Sequence, residues 1–290
     1  MKIPEISVTE LVERYEVLLL DAYGVLVEQQ TLIPGADEFI DRLNRLGKPY
    51  YILTNDASRS VEHSAARYHR RGLAIPAERI ITSGSLLPGY FCEEGLAGSR
   101  CVVLGPEDAW DYVRAGGGEP VPLTADTDAD VVVVCDEAGY PFLEHLDDVL
   151  TLLFRTFDAG VPPRLVVPNP DAVYPKGHGR FGITAGSIVL VLENALRVRF
   201  PRAEPARFVP LGKPHRPIFE EARRRSGTMD MVMVGDQLAT DIRGANDFGI
   251  ASVLVGTGLT SMIGEDTFDE IRPTWLLQSV RPNPSPPRLT

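Results

Sequence analysis

Two short apolar runs, each closed by a carboxylate, constrain this chain more than anything else in it. Val17-Leu18-Leu19-Leu20 leads straight into Asp21, and Met231-Val232-Met233-Val234 leads into Gly235-Asp236. Apolar runs of this length, bounded by turn residues, read as strands buried on both faces, which is the habit of a parallel sheet. Ligands of open α/β sheets bind beyond the carboxyl ends of such strands, so Asp21 and Asp236 stand where chemistry is done. A lone Asp after an apolar run is usually a turn former or a helix cap. What matters is the company these two keep.

The rest of the chain supplies a sheet for them. Ser7-Val8-Thr9-Glu10 fits a capping box and predicts a short helix carrying Leu11, Val12 and Tyr15 inward. Pro34-Gly35 introduces an amphipathic helix with Phe39, Ile40, Leu43 and Leu46 on one face, stopped at Gly47. Strands follow at Pro49–Leu53 and Arg79–Thr82, with a helix between them from about Ser60. Alternating strand and helix imply a doubly wound parallel sheet of the α/β class. Residues 88–207 change character. They carry their own strands at Cys101–Leu104, Val131–Val134 and Leu165–Val167, and helices at Glu107–Arg114, Phe142–Phe157 and Gly186–Arg197. We read an α/β domain inserted into a core formed by residues 1–87 and 208–290. After Met231–Val234 come a helix at Ile242–Phe248, a strand at Ala251–Val255, the turn Gly256-Thr257-Gly258 and a proline-rich tail from Arg281.

At 290 residues, 44% hydrophobic and 24% charged, the chain has room for two such cores. Its net charge of −11 argues against nucleic acid as a partner. No apolar run nears the ~18 residues needed to span a membrane. The opening Met1-Lys2-Ile3-Pro4-Glu5 lacks the basic-then-apolar layout of a signal peptide, so a cytoplasmic protein is expected. Cys92, Cys101 and Cys135 show no metal-like spacing and are expected as buried thiols; His63, His69 and His145 are expected on solvated helix faces.

Four polar clusters lie just past predicted strands or at helix starts: Asp21, Thr54-Asn55, Lys213, and Asp236 with Asp241. Carboxylates are hard ligands suited to Mg²⁺, which shares its coordination sphere with substrate phosphates. Lys213 offers a point charge for phosphate oxygens and Thr54 a hydroxyl. A carboxylate so placed can attack phosphorus and form an aspartyl phosphate. Asp241 fits equally as a cap for the helix near Ile242. Gly177–Gly182 matches a dinucleotide-binding pattern formally but follows a polar loop rather than a strand, so it is set aside.

In order along the chain, Leu20-Asp21-Ala22-Tyr23-Gly24-Val25-Leu26, Leu53-Thr54-Asn55, Gly212-Lys213-Pro214 and Gly235-Asp236 through Asp241 resemble the four motifs of the haloacid dehalogenase superfamily. The insertion resembles the cap of its subgroup of N-acetylglucosamine-phosphate-type, nitrophenyl-phosphate-type and pyridoxal-phosphate phosphatases. Asn169-Pro170-Asp171 and Tyr174-Pro175 are similar to stretches of those caps. The resemblance implies a Rossmann-like core with a cap that is mobile or forms homodimers, Mg²⁺, and hydrolysis of a small phosphorylated metabolite. It makes Asp21 the nucleophile. It assigns metal binding to Asp21, the Tyr23 backbone carbonyl, Asp236 and Asp241, and phosphate binding to Asp21, Thr54, Asn55 and Lys213. Asn169, Asp171 and His178 become candidates for substrate contact from the cap.

One departure stands out. Phosphatases of the superfamily carry a general acid–base Asp two residues after the nucleophile, and here that residue is Tyr23. A phenol with a pKa near ~10 is a poor proton shuttle at neutral pH. By type, Asp56, Asp171 and His178 are candidates for a displaced acid–base. The alternatives are a slow phosphatase and a non-catalytic module that binds a phosphorylated ligand or a partner through the same rim. Asp-Ala-Tyr-Gly also resembles the first motif of 2-haloacid dehalogenases. Those enzymes need no metal, which sits poorly with Gly235-Asp236.

Overall fold

The computed structural model describes residues 3–28, 31–177, 179–204, 206–256 and 271–281. They form two compact units, residues 1–54, 62–81 and 219–290, and residues 55–61 and 82–218.

The first unit is built on a six-stranded sheet. Its order is Trp275–Leu277, Ala251–Val255, Met231–Gly235, Val17–Leu20, Tyr50–Thr54, Ile80–Thr82. Val17–Leu20 pairs in parallel with both neighbours, and the pairings out to Trp275–Leu277 are parallel too. All four side chains of Val17–Leu20 are buried, as a central strand covered on both faces requires. From this strand the chain moves outward through Tyr50–Thr54 and Ile80–Thr82 on one side. It returns on the other side through Met231–Gly235 and Ala251–Val255. The strand order therefore reverses at Val17–Leu20, and a crevice at that point is where open α/β sheets take ligands.

The capping box forms at Ser7 and Glu10, opening helix Val8–Arg14. Helix Ala36–Leu46 buries Ala36, Phe39, Ile40 and Leu43, and its end is closed by left-handed Gly47. Leu46, expected on the same face, is exposed in the final turn. Tyr15 lies just beyond its helix; it is half-buried, and its hydroxyl accepts a hydrogen bond from Trp275 at 2.8 Å.

The second unit has a five-stranded parallel sheet in the order Val209–Pro210, Arg164–Val167, Val131–Val134, Arg100–Leu104, Glu119–Pro120. Val102, Leu104, Val132 and Val134 pack with Val149, Leu152 and Leu153 of helix Phe142–Asp158 and with Ile188, Leu192 and Leu196 of helix Ala185–Arg199. Strands Val173–Gly177 and Arg180–Ile183 form an antiparallel hairpin where the sequence reads as a loop. Most of its side chains are exposed and Pro175 lies within it, so no buried alternation marks it. A hairpin is also incompatible with the strand–turn–helix that a dinucleotide fingerprint needs.

Cys101 and Cys135 are buried free thiols, whereas Cys92 is exposed. Helix Leu87–Glu93 buries Leu87 and Phe91, and the residue after Phe91 turns away from that face. His63 and His69 are exposed, but His145 is half-buried with its ring 5.6 Å from that of Tyr140. No helix among the described residues is long and apolar enough to cross a membrane.

Candidate active site

Strand register brings the first carboxylates together. Leu20 lies opposite Val234, and the Asp21 amide donates to the Val234 carbonyl at 2.9 Å. Asp21 and Asp236 thus leave adjacent parallel strands at nearly the same level. Thr54 closes the strand on the other side of Val17–Leu20, where Leu20 is level with Ile52. Asp241 arrives through one wide helical turn, Leu238–Ile242. Its carboxylate reaches back to accept the Gln237 amide at 3.1 Å, and the N-cap position of the next helix is Ile242. The cap reading of Asp241 therefore gives way to one in which it faces its own loop.

Asp21, Asp236 and Asp241 are all buried, and one carboxylate oxygen from each lies within 4.8 Å of the other two. Two ionised carboxylates at that separation repel by about 3 kcal/mol at an effective dielectric near 20. Such a cluster calls for a cation. Compact oxygen donors of net negative charge match Mg²⁺.

Two glycines let the loops approach so closely. Gly24 has φ +77°, and a Cβ there would fall 2.2 Å from the Asp236 carboxyl carbon. A Cβ on Gly235 would fall 2.3 Å from the Asp241 carboxylate. Gly24→Ala combines a left-handed backbone, about 1–2 kcal/mol, with overpacking, about 1–3 kcal/mol. A loss of at least ~2 kcal/mol is therefore expected in urea unfolding. An unchanged midpoint would show that the loop moves aside freely.

Tyr23 sits in the tight loop that follows Asp21, where the Leu26 and Val27 amides both donate to the Ala22 carbonyl. Its hydroxyl receives a hydrogen bond from Arg67 of helix Val61–Arg70 at 2.5 Å. The phenol is thus anchored by a cation, a contact that nothing in the sequence signals.

The second unit holds a separate set. The Asn55 amide pairs with the Lys213 backbone in both directions: Nδ2 donates to the Lys213 carbonyl at 2.8 Å, and Oδ1 accepts the Lys213 amide at 2.7 Å. Nδ2 also donates to Asp171 at 2.9 Å. A Cβ on Gly212 would lie 2.5 Å from Asn55 Oδ1, so glycine is what permits this pairing. Lys213 is buried. Asn169 accepts the Asp171 amide at 3.0 Å and donates to Thr184 at 3.1 Å, which shapes the turn that presents Asp171. His178 lies outside the described residues. Asp56 accepts hydrogen bonds from Ser58 and Arg59.

Asn55, a phosphate candidate by motif, uses its side chain in this fold to build the Lys213 loop. No local signal marks this pairing, because the partners are 158 residues apart.

Family models described as haloacid dehalogenase-like hydrolase and HAD-hydrolase-like match residues 18–119 and 210–282. Asp21, Thr54 and Asn55 fall in the first stretch, and Lys213, Asp236 and Asp241 in the second. The chain is 30% identical to a crystal structure of a possible sugar phosphatase of the HAD superfamily from Cytophaga hutchinsonii, covering 96% of this chain and 99% of that one with a TM-score of 0.81. It is 27% identical to dihydroxyacetone phosphatase of Corynebacterium glutamicum over 90% of this chain and 88% of that protein. A glycerol phosphate phosphatase from Mycobacterium tuberculosis, solved in complex with magnesium, is 26% identical over 93% of this chain and 77% of that one, with a TM-score of 0.76. Near-complete coverage, on top of the ordered motifs and the parallel sheet, leads to one conclusion: the chain belongs to the haloacid dehalogenase superfamily, among its capped phosphoric monoester hydrolases.

Proposed function

We propose that this chain is a Mg²⁺-dependent phosphatase of a small polyol or sugar phosphate that works through an aspartyl phosphate on Asp21. The observation that carries the reading is the buried cluster of Asp21, Asp236 and Asp241 at the reversal point of the sheet. The phosphatases of triose, glycerol and sugar phosphates among its relatives support the substrate class.

A carboxylate oxygen of Asp21 attacks phosphorus, and the bond from phosphorus to the alcohol oxygen breaks. Water then attacks the phosphorus of the acyl phosphate, which frees inorganic phosphate and restores Asp21. Asp21, Asp236, Asp241 and the Tyr23 carbonyl are assigned to hold Mg²⁺. Bound there, the ion supplies a Lewis acid that offsets charge on the phosphoryl oxygens. Thr54, Asn55 and Lys213 are assigned to the phosphate.

The leaving alcohol needs a proton, and Tyr23 offers only a phenol tied to Arg67. General acid–base help contributes ~10²–10⁴-fold. Aryl esters, whose phenolates leave unprotonated, are therefore expected to turn over well ahead of alkyl esters. Tyr23→Asp is expected to raise the alkyl rate by ~10²-fold or more and to leave p-nitrophenyl phosphate nearly unchanged. An alkyl rate that does not move would assign the acid elsewhere. Phosphate release from p-nitrophenyl, glycerol and sugar phosphates, with Mg²⁺ and with chelator, tests the whole reading. Metal-dependent phosphate binding without release would replace it with a non-catalytic module.

A further inference from the structure

Asn55, Asp171 and Lys213 all belong to the second unit, and the side chain of Asn55 ties the other two together. A carboxamide has two N–H donors and one carbonyl acceptor. One donor goes to the Lys213 carbonyl at 2.8 Å and the other to Asp171 at 2.9 Å, while Oδ1 accepts the Lys213 amide at 2.7 Å. Both protons are spent, so the side chain has none left for a phosphate oxygen. Its orientation is enforced by its partners. Turned end for end, the carboxamide would set Oδ1 against a carbonyl and a carboxylate, and Nδ2 against an N–H. Three attractive contacts would become three repulsive ones.

The two partners are themselves fixed. Asp171 is held at its amide by Asn169 Oδ1 at 3.0 Å and at its carbonyl by the Gly186 amide at 2.9 Å. Asn169 in turn donates to Thr184, the residue before helix Ala185–Arg199. A Cβ on Gly186 would lie 2.5 Å from the Asp171 carbonyl oxygen, so the turn sits tight on that helix. On the other side, the Leu211 and Gly212 amides donate to the Val167 and Pro168 carbonyls at 3.2 and 2.9 Å, which carries the Lys213 segment along the end of strand Arg164–Val167. Asn55, Asn169, Thr184 and Lys213 are all buried. In such surroundings a missing partner leaves the other group unpaired at a high cost. A residue bonded at both N–H and C=O by one planar amide has its backbone direction set, and the backbone sets where its side chain leaves.

We propose that Asn55 is a positioning residue: braced by Asp171, its carboxamide fixes the backbone of Lys213 and so aims the lysine at phosphate, with no side-chain contact to phosphate of its own. The inference rests on the reading of Lys213 as a phosphate ligand and gives the Asn55 side chain its part in that site.

The test is a double-mutant cycle on p-nitrophenyl phosphate with Mg²⁺, using the wild type, Asn55→Ala, Lys213→Met and the pair. In the wild-type background Asn55→Ala is expected to lower kcat/KM by ~10²-fold, the scale on which a group misplaced by about 1 Å is felt. In the Lys213→Met background the same change is expected to cost less than about twofold, since no ammonium remains to aim. An equal loss in both backgrounds overturns the proposal, because Asn55 would then contact phosphate itself or serve only the fold. No loss in the wild type overturns it too. A second measurement needs neither turnover nor phosphate. The chain has four lysines, so with ¹³C at the lysine ε position the Lys213 signal is the one missing from Lys213→Met. That signal is expected to shift in Asn55→Ala while the other three stay, and a Lys213 signal that does not move overturns the proposal. If the wild type releases no phosphate, the phosphatase reading falls separately and the Lys213 signal decides.

Discussion

Asp21→Asn is expected to lower kcat for p-nitrophenyl phosphate by ~10⁴-fold or more, the scale on which loss of a covalent nucleophile is felt. An amide oxygen is a far weaker nucleophile toward phosphorus than a carboxylate, and Asp21 follows directly on the carboxyl end of the central strand. The substitution also removes one of three charges crowded within 4.8 Å. The metal-free variant should therefore melt no lower than the wild type, which separates lost chemistry from lost fold. An acid-quenched wild-type reaction with labelled substrate should retain label on the peptide containing Asp21, and the variant should retain none. Activity above a tenth of wild type, or label on another residue, would remove Asp21 as the nucleophile.

The second large effect concerns the cation. Mg²⁺ at a hundred times its dissociation constant is expected to stabilise the folded protein by about 2.7 kcal/mol. In domains of this size that is a rise in Tm of roughly 5–10 °C. Chelation should reverse the rise and abolish phosphate release together. Asp241→Asn tests the electrostatic argument from the other side. Removing one of the mutually repelling carboxylates should raise the metal-free Tm and shrink the Mg²⁺-induced shift. The Asp241 side chain is fully buried and close to Gly235, so an isosteric change is required. If Asp241→Asn lowers the metal-free Tm and leaves the Mg²⁺ shift intact, the residue serves its hydrogen bond to Gln237 and not a metal.

The parts of this protein that could be read in advance share one property: their signal is local. Val17–Leu20 and Val131–Val134 are uninterrupted apolar runs, Ala251–Val255 an apolar run broken only by Ser252, and all three form strands with those bounds. Ser7 and Glu10 are three residues apart and cap a helix by themselves. Elements with weak local signal were missed. The hairpin Val173–Gly177 with Arg180–Ile183 exposes most of its side chains, and Trp275–Leu277 is a short strand at the sheet edge. Burial decides alternation, so an exposed hairpin leaves little pattern to find.

The candidate site divides along the same line. Asp21, Thr54, Lys213, Asp236 and Asp241 could be named from sequence because each follows a readable strand or opens a readable turn, and the ordered motifs carried their chemistry. Which of them meet was a matter of register. Leu20 opposite Val234 sets Asp21 beside the loop of Asp236, and a shift of one residue would have turned these side chains to the other face. The pairing of Asn55 with the Lys213 backbone and the Arg67 contact on Tyr23 belong wholly to the tertiary structure. Hydrogen bonds reach about 3 Å and have no memory of sequence distance. The amino-acid sequence by itself determined which chemical groups the protein carries and which strands bear them; only strand order and register decided which neighbours tune those groups.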